Sequence, residues 1–118
     1  YVYYIYLCFY LLVFQLIESD LFTQLSHPYT IKLFQIYPTY DLKPTYRKMA
    51  TLLKQHHMKA ENNVGCYYRY GHPDLWLSDE LLRILKEYQV EMIYASDAHQ
   101  PEDVGNYIKE AMKRINED

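Results

Sequence analysis

Apolar positions fall into blocks of changing period along the chain. Residues 1–17 are apolar at every position except Gln15, and Glu18, Ser19 and Asp20 follow at once. That run has three readings: a membrane span, a signal core, or a helix buried on at least one side. A span needs about 20 apolar residues, usually with basic anchors, and this run has no Lys or Arg beside it. A signal peptide needs a positive leader and a small-residue cleavage site, and neither is present. The five tyrosines among its first ten residues suit a packed protein surface better than a bilayer centre, where each hydroxyl needs a partner. The run is therefore expected to be one helix packed over the sheet.

Beyond it the period shortens. Residues 21–26 read as a short strand stopped by Pro28, which has no N–H for a ladder. Residues 29–43 form a connection with a helical turn near 31–34. Pro44 suits the first turn of a helix through His56, with Tyr46, Met49, Leu52 and Leu53 on one face. Residues 58–63 read as a strand, 65–74 as an aromatic loop, and 78–88 as an amphipathic helix opened by Ser78. Residues 90–95 are a third strand. Pro101, Glu102 and Asp103 open a last helix whose expected inner face is Val104, Ile108, Met112 and Ile115. Helix alternating with strand builds parallel sheet.

Composition narrows the partners. Acidic residues outnumber basic ones by 15 to 12, with no basic cluster, which argues against nucleic acid. Cys8 and Cys66 lack metal spacing and are too few for a disulfide framework, which suits a reducing cytoplasmic setting. The chain opens at Tyr1 without Met or a charged leader, the expected appearance of a fragment.

Candidate chemistry gathers where the strands end. In extended backbone, positions two apart share a side, so Asp97 and His99 project together at the carboxyl end of a strand. A carboxylate and an imidazole there can be metal ligands, although spacing alone favours a capping Asp beside a surface His. His27 ends another strand on the same rim. Glu61 and Asn63 share one face at the end of the middle strand, and a buried Glu needs a partner. The guanidinium of Arg69 has the fork that suits a phosphate ester, although an Arg among tyrosines is more often a surface stacking residue. His56 and His57 lie at a helix end and point in different directions, a structural reading. His72 reads as a solvated loop residue and Trp76 as packing beneath that loop. P-loop, nucleophile-elbow and dinucleotide-turn motifs are absent from the sequence.

Leu25-Ser26-His27-Pro28, Ala60-Glu61-Asn62-Asn63 and Ala95-Ser96-Asp97-Ala98-His99, followed by Pro101-Glu102-Asp103-Val104-Gly105, resemble the polymerase and histidinol phosphatase (PHP) superfamily, particularly its histidinol-phosphatase-like members. The resemblance implies a partial, C-terminal segment of a distorted seven-stranded β/α (TIM-like) barrel with divalent metal ions (Zn, Mn or Fe) on its carboxyl rim. By that pattern His27, Asp97 and His99 are metal ligands, while Arg69, Glu61 and Asn63 lie near a small phosphate-ester substrate. The implied activity is metal-dependent hydrolysis of histidinol phosphate to histidinol and phosphate, in histidine biosynthesis. The family's opening His-x-His strand has no counterpart here, so the missing N-terminal half of the barrel is the expected partner. This chain alone is then expected to hydrolyse phosphate esters weakly or not at all. The alternative is a non-catalytic remnant or a small membrane-attached protein.

Overall fold

The computed structural model describes residues 1–28, 31, 37–65, 68 and 77–116, the last two as backbone only. In chain order the elements are α1 (Val2–Glu18), β1 (Gln24–Leu25), α2 (Lys43–Gln55), β2 (Lys59–Asn63), α3 (Asp79–Glu87), β3 (Met92–Ala95) and α4 (Ile108–Asn116), with a 3-10 turn at Pro101–Asp103. The three strands form one parallel sheet in the order β1-β2-β3. Leu25 is level with Ala60, Ala60 with Met92, and Asn63 with Ala95. All three strands therefore present their carboxyl ends on one rim.

A segment of a seven-stranded barrel is not what this chain forms. Its sheet is open, and β1 pairs over only two residues. Barrel closure requires many strands to share tilt and register, and so short an edge is a poor template for another strand. Its radius of gyration, 14.0 Å, is close to that of a self-contained domain of this length. The correct class is a small open α/β sheet, with four helices among the described residues.

The core lies between one face of the sheet and α1, α2 and α3. From α1 it takes Tyr6, Tyr10, Val13, Phe14 and Ile17, one helical face. From α2 it takes Tyr46, Met49, Ala50 and Leu53, and from α3 Leu81, Leu82, Ile84 and Leu85. The Tyr10 ring meets Tyr46 edge-on at 5.9 Å, and its hydroxyl donates to the Pro28 carbonyl at 3.4 Å. That contact fixes the chain just after β1. The main helical neighbour of α1 is α2.

Two helices end in the same way. His57 and Gln89 follow α2 and α3 with φ of 55° and 57°. After each, a residue donates back into the helix: Met58 N–H to Leu53 O at 2.9 Å, and Val90 N–H to Leu85 O at 3.0 Å. These are Schellman caps built without glycine. Both lead straight into a strand, which sets where β2 and β3 begin. Ser78 caps α3, its Oγ accepting from Leu81 N–H at 3.3 Å. The last helix departs from expectation. Val104 is 74% exposed, and α4 starts only at Ile108, with Ala111 as its fully buried residue. Gly105 at φ 79° and Tyr107 at φ 62° interrupt the backbone between the proline turn and α4.

Candidate functional site

β2 is an unusual central strand, Lys-Ala-Glu-Asn-Asn, poor in residues that favour β structure. It holds because neighbours pair with it on both sides. Alternation sends Ala60 and Asn62 to the helical face, and Glu61 and Asn63 to the other. Asn62 is fully buried, and its Oδ1 accepts the Leu77 N–H at 3.1 Å, tying β2 to the entry of α3. Asn62 Nδ2 has no hydrogen-bond partner among the described residues.

On the other face Glu61 is 8% exposed, and its Oε1 is a point of convergence. It accepts the His27 backbone N–H at 3.2 Å and the Asn63 Nδ2–H at 3.2 Å. His27 Nδ1 stands 3.7 Å from the same oxygen. Asn63 Oδ1 accepts the Gly65 N–H at 2.8 Å, which turns the amide nitrogen of Asn63 towards His27. The two nitrogens, Asn63 Nδ2 and His27 Nδ1, are 3.5 Å apart. The Asn63 amide and the Glu61 carboxylate thus both face Nδ1 of His27.

The third strand end is organised through Ser96. Its carbonyl accepts from the Tyr68 hydroxyl, and its Oγ from the Gly105 N–H at 3.1 Å. Tyr68 in turn stacks on Tyr107 at 6.0 Å. His99 Nδ1 lies 2.9 Å from the Asp97 carbonyl oxygen. A carbonyl only accepts, so Nδ1 carries the proton and Nε2 is the basic nitrogen of the neutral ring.

His27 and Asp97 share a backbone peculiarity: each lies two residues beyond its strand, and each has φ 54°. Left-handed backbone in a non-glycine residue is uncommon, and it clusters at functional sites. At Asp97 it also ends the extended geometry on which two-residue alternation depends, so Asp97 and His99 meet through backbone carbonyl and ring.

His27, Glu61 and Asn63 are thus brought into contact, and Asp97 and His99 emerge on the same carboxyl rim. Arg69, His72, Trp76 and Cys66 lie outside the described residues. His56 caps α2 and pairs with Asp20 at 2.6 Å, away from the rim. Tyr68, Ser96 and Asn62 are positioning residues that periodicity and spacing do not single out. Among the described residues no three His, Cys, Asp or Glu side chains are grouped to hold a metal ion.

No family model, curated protein or solved structure matches the chain. Among the described residues no helix is long and apolar enough to cross a membrane.

Proposed function

We propose that the chain acts at the carboxyl rim of its sheet on a small phosphate ester, as a weak phosphomonoesterase of the histidinol-phosphatase type. The observation that supports this most is the convergence of His27, Glu61 and Asn63, drawn from segments 34 to 36 residues apart, on the rim that Asp97 and His99 also reach. The two rim histidines divide the proton work between them. His99 Nε2 takes a proton from the attacking water, and His27 Nε2–H gives one to the departing alkoxide oxygen. Water oxygen bonds to phosphorus as the ester P–O bond breaks, releasing alcohol and inorganic phosphate. Buried Glu61 keeps the His27 backbone and ring in place throughout. The resemblance adds a divalent ion held by His27, Asp97 and His99; because the described residues do not group as a cage for one, no step is assigned to it.

The test is hydrolysis of histidinol phosphate and p-nitrophenyl phosphate by purified chain, with added Mn or Zn and separately with chelator. Slow turnover, lost in both His27→Gln and His99→Gln, is expected. Turnover indifferent to both substitutions contradicts the proposal, as does none at all from a folded chain.

A further inference from the structure

Helix α1 is apolar all round, although the core uses only one side of it. The opposite side carries Tyr1, Tyr4, Cys8, Leu11 and Gln15, with Leu12 and Leu16 beside them, and all seven are exposed. Tyr1 is 94% exposed, Tyr4 66%, Leu11 46%, Leu12 66% and Leu16 37%. A helix apolar on every side is normally covered on every side. We propose that this outer face of α1 is the contact between two copies of the chain, packed helix to helix about a two-fold axis.

Three observations select a second copy. Positions 1, 4, 8, 11 and 15 step by three and four residues, the spacing of a two-helix seam in which side chains interlock. The seam has no charge: α1 lacks Lys and Arg, and its one acid is Glu18 at the end. Self-packing therefore sets no like charges against each other, and a two-fold interface uses the same patch twice. The area also suffices. Taking roughly 200 Å² for a fully exposed large side chain, these fractions amount to roughly 600 Å² per copy. Two copies cover roughly 1,200 Å², the lower bound of a stable interface. A bilayer surface is a poorer fit, because an interfacial helix needs basic residues along its flank.

Sedimentation equilibrium of the full chain tests this, beside Leu11→Glu/Leu12→Glu, whose positions lie outside the core. The expected result is a dimer at tens of micromolar for the parent chain and a monomer with unchanged circular dichroism for the double variant. Cys8 lies near the middle of the seam. In a Cys66→Ser background, a short bis-maleimide should link two chains, and adding Cys8→Ser should abolish the link. A parent chain monomeric over that range overturns the proposal, as does a double variant that still dimerises. Co-sedimentation of a monomeric parent with zwitterionic lipid vesicles would assign the face to a membrane and overturn it too.

Discussion

Replacing Glu61 by Ala separates the rim from the fold beneath it. The carboxylate accepts two hydrogen bonds at 3.2 Å, one from the His27 backbone and one from the Asn63 amide, in a position 8% exposed. A hydrogen bond to a charged group is worth about 1.5–3 kcal/mol net, and an abandoned buried donor costs about as much. The His27 side chain is 49% exposed, so water can reach part of what is left and the lower end applies. The expected loss is about 2–4 kcal/mol. Unfolding a chain of 118 residues has an entropy that turns each kcal/mol into about 4 °C. Thermal unfolding of Glu61→Ala should therefore fall by roughly 8–16 °C. Glu61→Gln keeps one acceptor oxygen but sets an amide beside the Asn63 amide, and should lose about half as much. Calorimetry on the three proteins checks this. An Ala variant within about 2 °C of the parent would show that Glu61 is not holding the rim.

The left-handed cap at Gln89, φ 57°, is strained for a side-chain-bearing residue. Gln89→Gly should raise stability by about 0.5–1 kcal/mol, read as a rise in thermal midpoint; a fall would refute the cap argument. Burial raises the phenol pKa values of Tyr40 and Tyr94 above 10.0, with neighbouring Tyr3 adding to the effect at Tyr40. A raised folded-state value means that this contribution is complete below the unfolded pKa. It is lost as pH climbs past about 10 through the folded values. The midpoint should thus fall in alkali less steeply in Tyr40→Phe/Tyr94→Phe than in the parent, and parallel profiles would refute the reasoning.

Element order was legible because most blocks announce their own period: an apolar run broken only by Gln15 for α1, one-sided spacing for α2 and α3, a short apolar stretch for β3. The open sheet was not legible, because three short motifs say little about how many strands surround them. β1 illustrates the gap. Six residues carry strand character in the sequence, yet only Gln24 and Leu25 pair with a neighbour. Pro101 with two acids looks like a helix start, but the left-handed residues Gly105 and Tyr107 delay α4 to Ile108. Within the site, the types and spacing of His27, Glu61, Asn63, Asp97 and His99 could be read directly. Their ring partners could not, since these are an amide 36 residues from one ring and a carbonyl beside the other. Tyr68 and Ser96 stayed hidden for the same reason: a hydroxyl and a serine become a brace only once the chain has folded.

The central claim, an acid and a base divided between two rim histidines, is tested most directly by phosphomonoester turnover in the parent, His27→Gln, His99→Gln and the double variant. Proton transfer by a positioned side chain is worth roughly 10²- to 10⁴-fold. Each single variant should therefore lose roughly 10²-fold or more, and the double variant little beyond that, because the two groups serve one step. Equal rates in all four proteins, with each still folded, would contradict the account.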